Sequence, residues 1–477
     1  MSIENKLPRS TPEEQGIASC AITDFLEAVE KANLGLHSFM LLRHGFVVSE
    51  GWWTPYSEEL PHMLFSLSKS FTSTAIGLAI EENLITLEDK VISFFKESLP
   101  EVMDENLVKM EVKHLLSMAT GHEKDTTDAV IAQKDGDWVK AFLALKVEHT
   151  PSSPFVYNTA ATYMLSAIIQ KVTGQTLLEY LQPRIFVPLG IENPTWETCP
   201  KGINTGGFGL SIKTEDIAKF GKLYLDKGVY KGKTLIPKDW IEKATSKQVS
   251  NGTSLDSDWE SGYGYQFWRC KVPNVYRADG AFGQLAVIMP DQDAILAITS
   301  GSGDVGGILN LIWDKLIPAL SEGSLESNNE ALSNLNSKLA RLHISPPRFG
   351  VKSIEKTAIQ SRIYKIEDNQ LQIESMSFEF NEDTCNFKIT DNRGTHEILC
   401  GIEAWVSNET DILLGSPKAY ASGTWRDENT FIMSWLFVET PFCYTCTCSF
   451  SGRSLLVKVD TNVSLTPIDL LFKGTLL

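Results

Sequence analysis

No apolar run in this 477-residue chain approaches the ~20 residues needed to cross a bilayer, so no membrane-spanning helix is expected. The first residues, Met1-Ser2-Ile3-Glu4-Asn5-Lys6-Leu7-Pro8, lack the apolar core of a signal peptide, and such a start, if intact, places the protein in the cytoplasm. Positive charge is also short: 43 Lys and Arg against 60 Asp and Glu give a net charge of −17. Nucleic acid and anionic membrane surfaces both need clustered Lys and Arg, so neither is expected as a partner. Cysteine is sparse, with 8 residues spread through a large chain rather than packed into a small scaffold, which excludes a disulfide framework. Cys443, Cys446 and Cys448 form C-x-x-C-x-C, but no histidine lies near and no second C-x-x-C completes four ligands. Buried thiols at a strand edge are expected there instead of a metal site.

What remains is the composition of an ordinary soluble globular protein, 43% hydrophobic and 22% charged, long enough for two or three domains. An acidic helix is expected within residues 1–35, with Thr11-Pro12-Glu13-Glu14 at its start. Two apolar runs joined by Arg43-His44-Gly45 read as a β-hairpin from Ser38 to Trp53. From about 85 to 200 the pattern is helical. Gly206-Gly207-Phe208-Gly209 marks a tight return, and a helix with apolar spacing at Ile217, Phe220, Leu223 and Tyr224 follows. Tyr263 to Trp268 reads as a strand. Leu285–Met289 and Ala294–Ile298 form a second hairpin, and Ile308 to Leu320 a closing helix. Strands at both ends with helices between them fit an α/β (α+β) unit over 1–322: an antiparallel sheet flanked by helices, with an all-helical insertion. Residues 323–349 read as a linker carrying a short amphipathic helix through Leu332, Leu335, Leu339 and Leu342. From 350 to 477 the short β-rich runs predict a separate all-β domain, a small barrel or a sandwich.

The chemistry-bearing residues cluster in three stretches. Ser66 and Lys69 open a long run of small and apolar residues, Phe65 to Ile80, and one helical turn places their side chains on the same face. A serine is a weak nucleophile unless a base lies within hydrogen-bond reach. A lysine can be that base where burial or a neighbouring cation depresses its pKa, and small neighbours suit burial. The tetrad Ser-x-x-Lys recurs at Ser93/Lys96 and Ser353/Lys356 without such a helix, and its bland reading is a helix cap. The second stretch is Phe155-Val156-Tyr157-Asn158-Thr159, where a tyrosine hydroxyl can relay a proton from a serine to a leaving group; a core tyrosine is the alternative. The third is Tyr276-Arg277-Ala278-Asp279-Gly280-Ala281-Phe282-Gly283-Gln284, where glycine lets a substrate approach backbone N–H groups able to hold an oxyanion. Gly301-Ser302-Gly303-Asp304-Val305-Gly306 fits G-x-G-x-x-G, but with no alternating βαβ pattern it reads as the turn into the last helix.

In this order and on this layout, the three stretches resemble the penicillin-recognising serine hydrolases: class C β-lactamases, D-alanyl-D-alanine peptidases, and their esterase and 6-aminohexanoate-dimer hydrolase relatives. The resemblance spans roughly residues 10–320 and implies the β-lactamase/transpeptidase-like fold. It implies Ser66 as acylated nucleophile, Lys69 and Tyr157 as its proton-transfer partners, and an oxyanion hole from the backbone N–H groups of Ser66 and Ala281, just after Gly280. It implies no metal and no cofactor. The Ser-Asp-Asn motif of class A enzymes is missing, so the tyrosine-containing branch is the closer likeness.

Two departures set the expected substrate. The second motif usually reads Tyr-x-Asn, whereas here Asn158 stands one place early and Thr159 takes the third position. The third motif usually begins with Lys or His, and here Ala278 does, leaving Arg277 as the candidate substitute for a cation that grips substrate carboxylates. The reading is therefore a cytoplasmic serine hydrolase cleaving a small ester or amide through an acyl-Ser66 intermediate. The alternatives are a weak β-lactamase or D-Ala-D-Ala peptidase, and a non-catalytic binding protein on the same fold. Trp52, Trp53, Tyr56 and Trp268 are candidates to line an apolar acyl or alcohol pocket, with core packing as the alternative.

Overall fold

Alternating apolar runs and helical stretches assemble into two β structures in the computed structural model, which describes residues 5–152, 154–254, 256–351, 360, 362–413 and 417–477. The first is a six-stranded antiparallel sheet. Its strands are β1 (Leu36–Arg43), β2 (Phe46–Trp52), β3 (Trp268–Arg269), β4 (Tyr276–Gly280), β5 (Gln284–Met289) and β6 (Ala294–Ser300), in the order β2-β1-β6-β5-β4-β3. β1, β5 and β6 are buried along their whole length, because helices cover both faces. Helix α1 (Ser19–Lys31) and the helix Val305–Leu311 pack on one face, with Phe25, Leu285, Val287, Leu296 and Ile298 in a common core. On the other face lie α2 (Ser68–Glu81), α3 (Thr159–Thr173) and α4 (Thr214–Leu225), together with the short helices of residues 91–143. The fold is the β-lactamase-like α/β architecture with its helical insertion. Among the described residues no helix is long and apolar enough to cross a membrane.

The composition of α2 explains its place. Every residue from Ser68 to Ala79 is buried, so the helix has no solvent face. Its hydroxyls serve surrounding backbone groups: Ser70 Oγ donates to the Gln266 carbonyl, Thr72 Oγ1 to Gly206 and Ser73 Oγ to Tyr265, at 2.7–2.8 Å. Gly77 lies against the Trp240 ring, where an added Cβ would come within 2.4 Å of ring carbons. Buried polar groups are tolerated because each is paired.

Gly301-Ser302-Gly303-Asp304 is the turn into the helix Val305–Leu311, which Asp304 caps by accepting from the Gly307 N–H at 2.7 Å. Tyr263–Phe267, expected as a strand, is instead a looped stretch, and the ladder begins only at Trp268. Gly262 at φ +116° and Gln266 at φ +67° adopt left-handed backbone that a strand cannot hold. The helix Asn329–Leu339 docks on α1 and buries Leu335 in the same core.

Beyond it, ten strands form one sheet: β7 (Ile363–Ile366), β8 (Ser375–Phe380), β9 (Thr384–Asp391), β10 (Gly394–Ile402), β11 (Val406–Glu409), β12 (Lys418–Asp427), β13 (Thr430–Phe437), β14 (Cys443–Ser451), β15 (Ser454–Thr461) and β16 (Leu470–Leu476). Gly401 and Ile402 of β10 pair in parallel with Ser422 and Gly423 of β12, which closes the sheet into a barrel. Between barrel and sandwich, the open alternative in the sequence, the structure chooses the barrel. Cys443, Cys446 and Cys448 lie on β14, with Cys446 and Cys448 buried in the barrel. The hairpin joining β13 and β14 reaches the first unit: the Met63 N–H donates to the Glu439 carbonyl at 2.8 Å, and the Tyr56 hydroxyl to Thr440 at 3.2 Å.

Gln266 ties three elements together. Its amide donates to the carbonyls of Leu115 and Leu116, and its Oε1 accepts from Thr162 Oγ1. Gln266→Leu, of similar volume, takes the acceptor from the buried Thr162 hydroxyl and one donor from each carbonyl, which keep only backbone N–H partners, and should cost about 1–3 kcal/mol in denaturant unfolding; no measurable loss would contradict this account.

Candidate active site

Ser66 sits in a single 3₁₀ turn, Phe65–Leu67, that runs directly into α2. Phe65 has φ +49°, an uncommon left-handed conformation for an aromatic residue, and it lifts Ser66 to a half-buried position at the helix mouth. Lys69, one turn on, is 1% exposed. Its Nζ lies 2.8 Å from Ser66 Oγ, 3.1 Å from Thr159 Oγ1 and 2.7 Å from the Gly207 carbonyl. Burial pulls the amine down to about 7, while the carboxylates of Asp125 and Asp279 pull in the opposite direction. Near neutrality, then, Lys69 spends part of its time as a free amine, with a lone pair for the Ser66 hydroxyl proton and N–H groups for Thr159 and Gly207.

Tyr157 stands beside this pair. Its hydroxyl faces Ser66, where burial pushes the phenol up more strongly than Ser66 pulls it down, and its ring lies 4.9 Å from Lys69 Nζ and stacks on Trp268 at 5.3 Å. Burial raises the phenol above its ordinary value, so it remains protonated at neutral pH. Phe155 and Trp259 pack edge-on against Trp268 and extend an aromatic wall beside the serine. Thr159, at the first position of α3, reaches Lys69. Asn158 does not: it is fully buried, and its Oδ1 accepts from the backbone and hydroxyl of Thr126.

The end of β4 runs alongside the turn that carries Ser66. A Cβ on Gly280 would fall 2.1 Å from the Leu64 carbonyl, so only glycine permits this approach. Ala281 follows, and Phe282 (φ +66°) packs edge-on against Phe65 at 5.3 Å. Arg277 is not presented to the cleft. It is wholly buried, bound to Asp279 at 2.7 Å and to the Asp258 carbonyl, with its guanidinium over Trp259.

Of the four aromatic pocket candidates, only Trp268 lies at the site. Trp53 belongs to the core under the sheet, Trp52 is partly buried against the helix-side core, and Tyr56 faces the barrel hairpin. Ser93, in the second tetrad, donates to the Lys90 carbonyl, and the Ser353/Lys356 tetrad lies outside the described residues. Among the described residues no group of three or more His, Cys, Asp or Glu side chains is placed to hold a metal.

Two contributors were not legible as such in the sequence. Gly207 appears there only as a tight return, although a glycine pair facing a buried lysine is a signal that a carbonyl is being brought close. Phe442, from the β13–β14 hairpin, packs 6.1 Å from both Phe65 and Phe282, and no local pattern announces it.

The burial of Lys69 has a thermodynamic signature. The unfolded chain keeps this proton up to about 10.5, whereas the folded protein releases it near 7. Between these values the unfolded state binds more protons, so stability rises with pH. From pH 7 to 9 the wild type should gain about 2 kcal/mol relative to Lys69→Met, the slope approaching roughly 1.4 kcal/mol per pH unit only above the folded midpoint; a pH-independent difference would contradict the depressed value.

Residues 27–306, more than half of the chain, match the Beta-lactamase family. The 6-aminohexanoate-dimer hydrolase of Paenarthrobacter ureafaciens is 24% identical over 289 residues, covering 56% of this chain and 73% of that protein. A solved structure titled as a putative 6-aminohexanoate-dimer hydrolase from Bacillus anthracis superposes with a TM-score of 0.55 at 23% identity, over 68% of this chain and 89% of that one. EstCE1, described as a hydrolase with promiscuous acyltransferase activity, superposes with a TM-score of 0.52 at 14% identity, over 62% and 99%. The chain belongs to the Beta-lactamase family and is a serine hydrolase.

Proposed function

We propose that the chain cleaves a small ester or amide bearing an apolar acyl group, through an acyl-Ser66 intermediate. The observation that carries this reading is the buried Lys69 amine 2.8 Å from Ser66 Oγ, with the Tyr157 ring 4.9 Å from that amine. Neutral Lys69 takes the Ser66 proton as Oγ attacks the carbonyl carbon. The backbone N–H groups of Ser66 and Ala281 hold the developing oxyanion. Tyr157, kept protonated by burial, gives its hydroxyl proton to the departing alcohol or amine and regains one from the Lys69 ammonium, which restores the free amine. Water then releases the acyl group by the reverse relay, its proton going to Lys69 and Ser66 Oγ regaining one. The aromatic wall of Phe155, Trp259 and Trp268 favours an apolar acyl substituent. Of the similar proteins, one is named for hydrolysis of a 6-aminohexanoate dimer and another for hydrolase chemistry with acyl transfer, which supports this reading.

With Arg277 sequestered by Asp279, β-lactams and carboxylate-bearing peptides are the weaker substrates. The test compares p-nitrophenyl butyrate and benzylpenicillin. Ester kcat/KM should exceed penicillin turnover, and Ser66→Ala should lose at least ~10³ of it along with the butyryl adduct seen by intact mass. Activity unchanged in Ser66→Ala would overturn the reading, and faster penicillin turnover would favour a β-lactamase.

Phe442 should act as a positioning residue, because it backs both Phe65 and Phe282, the neighbours of the two oxyanion donors. Phe442→Ala should lower kcat about tenfold with KM changed less than threefold. A change in KM alone would mean that Phe442 contacts the substrate instead.

A further inference from the structure

The barrel is filled at one end and open at the other. Tyr364, Phe378, Phe380, Trp425, Phe431 and Phe450 pack ring on ring as a plug. Beside this plug lies a cavity of about 640 Å³ whose deep wall includes Met376, Phe387, Trp435, Cys446, Val457 and Phe472, all buried. Protein interiors tolerate few voids larger than a water molecule, and an apolar cavity gives water no hydrogen-bond partners. A space of this size matches a small-molecule site. None of its lining residues belongs to the Ser66 cleft.

Polar groups collect at the mouth. His396 places its two ring nitrogens against Asp391 and Asp411, at 2.9 and 2.5 Å. Arg393, exposed at the surface, grips Asp391 through Nε and Nη2 and reaches the Asp411 carbonyl through Nη1. Asp469 lines the same opening. Three carboxylates thus face one guanidinium, itself already paired, so a free acid arriving there meets excess negative charge. A hydroxyl or ester finds what it needs: carboxylate oxygens that accept, and guanidinium N–H groups left to donate.

We propose that the barrel is a second binding site, for an uncharged apolar molecule ending in a hydroxyl or ester, with its chain against Met376, Phe387, Trp435 and Val457 and its polar end at Asp391 and Arg393. The full-length protein should bind the uncharged fluorophore N-phenyl-1-naphthylamine saturably at one per chain. 1-Dodecanol should displace it at a concentration at least tenfold lower than dodecanoate. Val457→Trp and Met376→Trp, which fill the cavity from different strands, should weaken binding at least tenfold while circular dichroism and thermal unfolding report a folded protein. Should either fail to fold, Trp435→Phe reads the same site by removing energy transfer from the tryptophan to the probe. Unsaturable binding, unchanged affinity in a folded filled variant, or transfer unaffected by Trp435→Phe would overturn the site. Dodecanoate binding as tightly as dodecanol would overturn the assignment of an uncharged end. No arm measures hydrolysis, so the outcome stands apart from the reading of Ser66.

Discussion

A lysine amine withdrawn from water beside a serine is the constraint to which the rest of the first unit answers. Placing a charged ammonium at 1% exposure is costly, and the protein meets the cost by letting the proton go near pH 7 rather than by supplying a direct carboxylate partner. Every neighbour fits that solution. The Gly207 carbonyl and the Thr159 hydroxyl satisfy the amine without fixing its charge. A Cβ at Gly207 would fall 2.7 Å from Thr159 Cγ2, so the carbonyl comes this close only because that residue is glycine. Asp279 would favour the ammonium, and Arg277 beside it blunts that pull. An arginine that looks in sequence like a substrate handle is in the structure a counter-ion for a neighbouring carboxylate.

The same demand shapes the surroundings. A helix that must bury a lysine in its first turn cannot carry a solvent face, so α2 is built of small hydroxyl and apolar residues whose polar groups are spent on adjacent loops. Two left-handed aromatic residues, Phe65 and Phe282, set the turn that raises the serine and the strand end that passes it. Conformations of that kind persist only when packing holds them, and part of that packing comes from Phe442 on the barrel hairpin. The barrel is therefore in contact with the catalytic neighbourhood through the β13–β14 hairpin, and its cavity opens at that same end, lined by Phe437 and Tyr444 on either side of the hairpin.

Much of this was legible in the chain because it is local. Ser66 and Lys69 one turn apart, Tyr157 before a helix, glycines at a strand end, and the hairpins around residues 43 and 291 each announce themselves within a dozen residues. The β character after residue 350 was equally plain in its short runs rich in Ile, Val, Phe, Thr and Trp, and strands such as β9 bury alternate residues accordingly. What the sequence hid is non-local or depends on backbone handedness. Tyr263–Phe267 has a strand's composition, but left-handed Gln266 turns it into a loop whose side chain and carbonyl tie together α2, α3 and the helix Val112–Leu116. Asn158 points to Thr126, and it is Thr159 that contacts Lys69. Barrel closure rests on a parallel pairing between β10 and β12, and Phe442 reaches its partners across more than 150 residues of chain, so neither has a local signature.

The central claim is that Lys69 is a free amine near neutral pH and the base for Ser66. The most direct measurement is the pH dependence of the rate at which a fluorophosphonate labels Ser66 in the intact protein, followed by mass. The account predicts a rate that rises with pH through a midpoint near 7 and loses that limb in Lys69→Met. A midpoint above about 9, close to an ordinary lysine, or a profile unchanged in Lys69→Met, would contradict it.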